Sequence, residues 1–276
     1  MNFTIARGLL GVWIWGAFFS VSSPAMADPF LDSALKDGVG VRAEGMGGAF
    51  TGASTDANAV FYNPAGMAEQ GFQYERGYMD AQREHFLSAD YTLVSLPSLG
   101  FGDLNFQDTK GNLIQVFSTA FGVRGDNRVA WGFTHKTVNG VLGGVPISGY
   151  SMDAGLHGLI QPNWAYGVLL QDIFRQNVPV STTVRLGTAY RHTGSKGLFT
   201  ADLEIRDLKA ASGAKLFPHY GLESVLTNHL KVRLGWGRDL YTAGVTAEFK
   251  WMTFTYALTT SATQNTVHQM AFQFFR

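Results

Sequence analysis

Short segments in which apolar and polar residues alternate are the feature that most constrains this chain, and they recur from Gly71 to its end. In residues 230–236 the even positions hold Leu, Val, Leu and Trp, while the odd positions hold Lys, Arg and Gly. Residues 199–206 repeat the pattern, with Phe, Ala, Leu and Ile alternating with Thr, Asp, Glu and Arg. Successive side chains of a strand point to opposite faces, so a period of two predicts β-strands with two different faces. We therefore expect an all-β fold.

Counting these segments predicts about fourteen strands of roughly ten residues, the length with which a tilted strand crosses a membrane. The third and tenth segments are the weakest, so twelve strands is the alternative. An even number suits a barrel whose two strand termini lie on the same side of the membrane. The predicted strands are residues 72–81, 86–95, 98–106, 113–124, 128–138, 149–159, 163–172, 180–191, 197–206, 216–226, 229–237, 240–249, 251–259 and 267–275.

Soluble β-sandwiches also alternate, and the composition separates the two classes. Charged residues make up 15% of this chain, whereas about a quarter is usual for soluble domains. The polar positions hold mainly Thr, Ser and Gly, and aromatic residues near strand ends fit the interfacial girdles of a membrane barrel. Hydrocarbon cannot hydrogen-bond an open sheet edge, so the predicted fold is a closed transmembrane antiparallel β-barrel over residues 72–276. The aromatic residues are Trp164, Tyr190, Trp236, Tyr241 and Trp251.

Residues 1–27 have the pattern of a secretory signal peptide. Arg7 precedes an apolar run from Leu9 to Val21, and Ala25-Met26-Ala27 is a small-x-small cleavage site. The alternative, a first transmembrane helix, needs about 20 apolar residues, which this run does not reach. We expect the mature chain to begin at Asp28.

Residues 28–71 differ from the strands because they are dense in small residues. Small side chains suit a segment threaded through a confined space, and glycine permits turns that other residues resist. Between a signal peptide and a barrel, that space is the lumen, so we predict an N-terminal hatch or plug segment there. A phosphate-binding loop is the alternative for the glycine run, but neither GxGxxG nor GxxxxGK[ST] is present. The glycines are Gly45, Gly47 and Gly48.

Asn63, Pro64 and Gly66 are the candidate gating residues of this segment. Proline fixes φ and lacks a donor, while glycine frees the backbone, so the three residues suit a tight turn beneath the lumen. The alternative is a simple chain reversal into the first strand.

The alternation also predicts which charged residues point into the lumen. Mixed signs within one lumen most often form ion pairs that hold neighbouring strands and the hatch, and less often form a selectivity lining. We favour the structural role. The predicted lumen-facing residues are Asp153, His157, Arg185, Arg191, Asp202, Glu204, Arg206, Lys231, Arg233 and Glu248.

Several function classes are disfavoured. The 21 basic residues equal the 21 acidic ones in number, and no basic run is present, so we expect no nucleic-acid partner. The chain has no cysteine, and its seven histidines lack metal-ligand spacing, so we expect no metal and no cofactor. No GxSxG motif is present either, and we predict that the protein is not an enzyme.

The residues from Arg42 to Ala68 carry a resemblance to a known family. Their Gly-Met-Gly-Gly-Ala core and Phe61-Tyr62-Asn63-Pro64-Ala65-Gly66 resemble the N-terminal segment of the FadL-like outer-membrane superfamily, and more closely its PorV- and PorQ-type branch. Later stretches are similar to that branch: Ser151-Met152-Asp153-Ala154-Gly155, Arg185-Leu186-Gly187-Thr188-Ala189-Tyr190, Gly221-Leu222-Glu223 and Arg233-Leu234-Gly235-Trp236.

The resemblance implies a 14-stranded barrel in the bacterial outer membrane whose N-terminal segment fills the lumen as a hatch. It implies one of two functions, a channel or transporter for hydrophobic small molecules or an accessory factor in type IX secretion. A structural barrel that anchors a multiprotein envelope complex is the alternative. The expected partners are outer-membrane lipid, together with hydrophobic small molecules or an envelope or secretion complex. This chain is shorter than typical members, which leaves little room for long outer loops.

Overall fold

The chain closes into an antiparallel barrel of fourteen strands, which confirms the predicted fold class and strand number. The computed structural model describes residues 28–36, 39–83, 86–125, 129–194, 196–208, 213–260 and 266–275, so the predicted signal peptide lies outside the described residues. The strands are β1 (Gln73–Arg83), β2 (Phe86–Leu96), β3 (Leu99–Gln107), β4 (Leu113–Arg124), β5 (Val129–Leu142), β6 (Val145–Gln161), β7 (Trp164–Gln176), β8 (Thr183–His192), β9 (Gly197–Arg206), β10 (Lys215–Thr227), β11 (Leu230–Gly237), β12 (Leu240–Glu248), β13 (Met252–Thr260) and β14 (Val267–Phe275).

Each strand pairs with its neighbours in sequence, and the first strand closes the barrel by pairing with the last. The register of β1 and β14 runs from Gln73 opposite Phe275 to Ala81 opposite Val267. Closure satisfies the backbone donors and acceptors that an open edge would expose to hydrocarbon. We call the end where β1 begins and β14 ends the terminal end, and the other the opposite end.

The side chains sort by the alternation that the sequence predicts. In β4 every second residue from Ile114 to Gly122 is buried, and the residues between them are exposed or half-buried. Large apolar side chains are exposed on the outer surface of most strands. Four of the five aromatic residues predicted to lie at strand ends are more than a third exposed: Trp164, Tyr190, Tyr241 and Trp251.

Several strand boundaries differ from the predicted ones, and two of these differences have a clear physical reason. The β5–β6 hairpin extends to a two-residue turn at Gly143 and Gly144, which have φ values of 60° and 80°. Such a turn joins two strands without a loop, and the glycines around it hid the alternation that would have extended both strands. At the start of β8, Val180 is 1% exposed and packs in the lumen. It precedes the strand rather than forming its first outward residue.

Residues 28–70 form three short helices and a 3-10 helix rather than strands: α1 (Pro29–Lys36), α2 (Val41–Glu44), α3 (Ala59–Tyr62) and the 3-10 helix Pro64–Glu69. They contact inward-facing residues of the barrel wall. Helix α1 lies at the opposite end, where Asp28 N donates to Pro179 O over 2.8 Å. The segment then descends through the lumen, and Glu69 pairs with Arg124 at the terminal end of β4 over 2.6 Å. Among the described residues, no helix is long and apolar enough to cross a membrane.

A closed barrel resists unfolding by detergent until it is heated. We expect the unheated protein to migrate faster than the boiled protein on a detergent gel, because the compact barrel binds less detergent than the unfolded chain. Equal migration of the two samples, together with release of the protein from membranes by alkaline carbonate, would contradict the transmembrane barrel.

Candidate functional site

The lumen has an apolar side, formed by inward-facing residues of β2 to β5. We call these residues the apolar wall. They are buried and form one cluster with Leu31 and Leu35 of α1, Val41 of α2 and Val60 of α3. A large apolar surface inside a membrane barrel is exposed to water unless something covers it, and here the N-terminal helices do so. The apolar wall consists of Tyr91, Leu93, Leu104, Phe106, Ile114, Val116 and Val138.

Helix α1 is anchored at the opposite end by buried charged side chains. Lys36 Nζ lies 2.6 Å from Asp32 Oδ1 and donates to Ser181 Oγ over 2.6 Å. Ser181 N donates to the same Asp32 oxygen over 2.9 Å. Arg206 and Arg185 complete the anchor, since Arg206 Nη1 lies 3.4 Å from Asp32 Oδ2 and Arg185 Nη2 donates to the Lys36 carbonyl over 2.9 Å. Because these pairs are buried, removal of one partner would leave a charge without solvent.

The second side of the lumen carries charges in place of apolar residues. Glu204 accepts from His219 Nε2 over 3.0 Å and from Arg238 Nε over 3.1 Å, and it also pairs with Arg185 and Arg206. Its neighbour Asp202 accepts from the backbone of the N-terminal segment instead, from Phe50 N over 3.0 Å and Thr51 N over 2.8 Å. These carboxylates therefore hold both the strands and the segment.

Glu223 links the wall to α2. Its carboxylate accepts two hydrogen bonds from Arg42, each over 3.0 Å, and one from Arg233 Nε over 2.7 Å. Arg42 also reaches Asp56 Oδ2 over 2.9 Å. Burial alone would lower the pKa of the Arg42 guanidinium, but the carboxylates of Glu223 and Asp56 raise this pKa above its usual value. Arg42 therefore stays charged at neutral pH.

A third group of charges lies where β5, β6 and β7 meet. Lys136 Nζ lies 2.8 Å from Asp153 Oδ1 and 2.6 Å from Asp172 Oδ1. Asp172 sits at a bulge of β7 with φ of 55°, and its N–H donates to Asp153 over 2.8 Å. A bulge changes the phase of a strand, which is how two successive residues, Gln171 and Asp172, are both buried.

A polar cavity of about 260 Å³ lies between the N-terminal segment and the wall towards the terminal end. Helix α2 separates it from the apolar wall, because Val41 belongs to the apolar cluster while Arg42 lines the cavity. Lys231 and Glu248 form an ion pair at its rim, and both are partly exposed. The charged residues that line it are Arg42, Asp56, Glu75, Arg191, Glu223, Lys231, Arg233 and Glu248.

The predicted lumen-facing residues all occupy inward positions of their strands, but they do not form one site. Asp153 joins the Lys136 group, and His157 contacts Gly52 O over 3.2 Å. Arg185, Asp202, Glu204 and Arg206 lie around α1 and the segment, while Arg191, Lys231, Arg233 and Glu248 line the cavity. No group of three or more His, Cys, Asp or Glu side chains suited to hold a metal occurs in the part of the chain that the structure describes.

The predicted glycines of the segment lie where its backbone touches the wall. A side chain at Gly47, which has φ of 66°, would come within 2.6 Å of Trp236 N. Gly45 faces the backbone of Gly244, and a Cβ added at Gly45 would lie 3.3 Å from the Cα of Gly244. Gly48 has φ of 75° and lies beside His219. These positions allow the segment to approach the barrel at backbone distance.

Asn63, Pro64 and Gly66 are packed tightly against the segment and the wall. Asn63 Nδ2 donates to Thr51 O over 3.0 Å and to Leu156 O over 2.9 Å, and its Oδ1 caps the 3-10 helix by accepting from Ala65 N. Pro64 opens that helix against Gly132, where an added Cβ would lie 2.5 Å from the proline carbonyl. Gly66 is buried against Ser54. We infer that these residues fix the part of the segment that lies towards the terminal end.

Several residues that hold the segment were not predicted from the sequence. Lys136 and Glu223 could have been found, because each falls at an inward position of its alternating strand. Asp172 could not, since its bulge breaks the alternation. Asp32, Lys36 and Arg42 lie in helical or turn structure, where a period of two carries no information.

Replacement of Glu223 by Gln should destabilise the barrel, because Arg42 and Arg233 then lose their shared carboxylate. Breaking a buried ion pair from one side costs about 3–5 kcal/mol, which we expect as a lower urea midpoint of the purified barrel in lipid vesicles. The matched control is Glu248→Gln, whose pair with Lys231 is partly exposed and should contribute about 1 kcal/mol or less. Equal losses of stability in the two variants would show that the ion pairs of Glu223 stabilise the barrel no more than the exposed pair does.

No protein-family model matches the chain, and neither does any curated protein sequence. Solved structures do match its fold. The Ralstonia pickettii toluene transporter TbuX superposes with a TM-score of 0.62 at 13% identity, covering 87% of this chain and 98% of that one. A Pseudomonas aeruginosa FadL homologue superposes with a TM-score of 0.59 at 10% identity, covering 86% and 98%.

The deltaS2S3 mutant of the monoaromatic hydrocarbon channel TodX matches with a TM-score of 0.60 at 12% identity, covering 86% of this chain and 97% of that one. At these identities the likeness concerns the fold. Together with the closed barrel and its apolar outer surface, it places the protein in the bacterial outer membrane. The chain has the fold of the FadL-type hydrocarbon channels.

Proposed function

We propose that the protein is a channel that carries small hydrophobic molecules across the outer membrane. The observation that carries this proposal is the apolar wall, which lines one side of the lumen from β2 to β5. The lumen of a water-filled porin is polar, and a polar solute gains nothing from such a wall. A hydrophobic solute would bury apolar surface there in place of α1.

Residues 28–71 act in this proposal as the hatch. Displacement of α1 uncovers the apolar wall at the opposite end, and displacement of α2 joins the wall to the polar cavity, since α2 is the partition between them. Asn63, Pro64 and Gly66 fix the part of the hatch towards the terminal end. The moving part is therefore residues 28–48, and its contacts with the wall are at Gly45, Gly47 and Gly48. The mixed charges of the wall hold the hatch in its closed position.

Entry into an apolar site and exit through a polar one suit a solute that must leave again. Conduction requires a site that binds well enough to fill and weakly enough to empty. A hydrophobic molecule that reaches the cavity beside Arg42 and Glu223 loses its apolar contacts and is released towards the terminal end. The names of the toluene transporter and the monoaromatic hydrocarbon channel support small aromatic hydrocarbons as the solute class.

The other functions inferred from the sequence stay predictions. These predictions are the relationship to PorV- and PorQ-type proteins, the role in type IX secretion and the alternative of an anchoring barrel. A role in secretion or in anchoring a complex would require a docking surface for a partner protein. The matched transporters and channels are compatible with a protein that is not an enzyme. For each of these functions, we expect the lipid of the outer membrane to surround the barrel.

Uptake of toluene by intact cells tests the proposal. We expect a bacterial host without its own hydrocarbon channels to accumulate radiolabelled toluene several-fold faster when it carries this barrel. Ile114→Thr with Val116→Thr should reduce the rate, because polar hydroxyls then interrupt the apolar wall. The control is Thr183→Val, since the buried Thr183 hydroxyl has no hydrogen-bond partner among the described residues. Accumulation equal to that of cells without the barrel, with the folded protein present in their outer membrane, would refute the channel.

A reversible lock tests the hatch separately. The chain has no cysteine, so Gly45→Cys with Gly244→Cys would introduce the only thiols. A Cβ added at either glycine lies within 3.3 Å of the other Cα, close enough for a disulfide. We expect oxidation to stop uptake by holding α2 against β12, and a reductant to restore it. Each single variant, treated with the same oxidant, serves as the control. Unchanged uptake by the fully oxidised double variant would mean that α2 does not move.

A further inference from the structure

Outward-facing charges are confined to three neighbouring strands. Arg76 and Asp80 of β1, Asp90 of β2 and Asp103 of β3 fall at outward positions, since the residue that precedes each of them is buried in the lumen. In β4 to β14, the charged side chains that the structure describes all fall at inward positions of the alternation. One sector of the barrel therefore differs from the rest of the outer surface.

These charges lie at the depth of the hydrocarbon. Arg76 is the fourth residue of the 11-residue β1, and Asp103 is the fifth residue of the nine-residue β3. Strands of about this length span the whole membrane, so their middle residues lie far from either surface. Arg76 is also directly opposite Phe272, which is opposite Phe254, and both aromatic residues belong to the apolar outer surface.

The polar side chains of this sector form two neighbouring hydrogen-bonded groups. Arg76 pairs with Asp90 over 2.8 Å and donates to Thr92 Oγ1 over 2.6 Å. Asn105 Nδ2 donates to Asp90 over 3.4 Å, and Gln115 Nε2 donates to Asp103 over 3.1 Å. The Arg76 side chain is nevertheless 49% exposed and that of Asp90 37% exposed. We call this surface the outward polar patch: Arg76, Asp90, Thr92, Asp103, Asn105 and Gln115.

Lipid is a poor neighbour for such a surface. Charged side chains on the lipid face of a barrel lower its stability, most of all near the middle of the bilayer, and acyl chains offer no hydrogen bonds to the exposed carboxylates. Two of these strands, β2 and β3, are apolar towards the lumen, where Tyr91 and Leu104 are buried. Polarity is thus reversed in β2 and β3, with apolar side chains inside and polar ones outside.

We propose that the outward polar patch docks a second, different integral protein of the outer membrane, whose wall offers Lys or Arg at this depth. The patch carries one cation and two carboxylates. Asp103 accepts from the Gln115 amide and meets no cation among the described residues. Two copies of this chain face to face would bring together two Arg and four Asp side chains, and this excess of like charge is repulsive at low dielectric. A cationic partner supplies what Asp103 lacks.

Photocrosslinking in intact cells tests the docking site. Phe117 is outward-facing, directly opposite Asp103 and 48% exposed, and photoreactive p-benzoylphenylalanine can replace it without altering the patch. The matched control is the same replacement of Phe199, an outward residue of β9 that is 50% exposed. We expect position 117 to give one protein adduct of defined mass and position 199 to give lipid adducts only. Mass spectrometry should identify the partner as an integral outer-membrane protein with Lys or Arg at the crosslinked surface.

The charge dependence of that adduct decides the chemistry. Asp90→Asn with Asp103→Asn keeps the shape of the patch but removes its carboxylates, and we expect it to lower the adduct yield about tenfold, as the loss of about 1.4 kcal/mol would. An adduct that persists in this variant would overturn the proposal. So would an adduct formed by two copies of this chain, or lipid adducts alone at both positions.

A stability measurement separates docking from a structural role. In purified barrel reconstituted into lipid vesicles, Arg76→Leu, Asp90→Leu and Asp103→Leu together should raise the urea midpoint, because lipid then meets apolar side chains. The same triple variant should give no adduct in cells. A lowered midpoint would show that the network stabilises the barrel itself and would overturn the proposal.

Discussion

The pairing of β1 with β14 is the constraint on which the rest of the structure depends. Hydrocarbon satisfies no backbone group, so a sheet in the membrane is stable only when it has no edge. Closure by this pair leaves the barrel without an edge and turns one face of every strand into a lumen wall. Because the side chains alternate, the face that contacts lipid and the face that contacts the lumen are decided together at each residue, and a change of phase, as at the bulge of β7, exchanges the two.

Inside the barrel, the N-terminal segment meets two different walls and is held differently by each. The apolar wall contacts α1, α2 and α3 through dispersion and burial, which lose little when one apolar partner replaces another. The charged wall holds the same segment through Asp32 and Lys36 at the opposite end and through Arg42 at Glu223, and these contacts cannot be exchanged for a hydrophobic molecule. In the proposed channel, the apolar contacts are therefore the part of the interface that a solute competes for. The ion pairs there set how much free energy opening of the hatch requires.

The sequence allowed the strands to be predicted more fully than the site, for a physical reason. A strand in a membrane barrel meets lipid on one side and protein on the other, so its period of two is strong, and even the weak segments at β3 and β10 proved to be strands. Glu204 and Arg233 were placed on the inward face by that period alone. The register of the strands and the path of the N-terminal segment decide which charged residues form pairs. Neither of them produces a periodic pattern in the sequence. Arg42 meets Glu223, 181 residues away, and the phase of β1 is ambiguous because Glu75 and Arg76 are adjacent charges that point to opposite faces.

The reversed polarity of β2 and β3 connects the two proposals. A strand pair with apolar side chains towards the lumen and polar ones towards lipid is poorly matched to an empty, lipid-surrounded barrel on both faces. The inner mismatch is removed by whatever covers the apolar wall, which is α1 in the structure and a hydrophobic solute in the proposed open channel. The outer mismatch needs a polar neighbour within the membrane. The two faces are formed by adjacent residues of the same strands, with Leu104 inside next to Asp103 outside. A partner that rigidifies the outer face therefore also holds the backbone that presents the apolar wall.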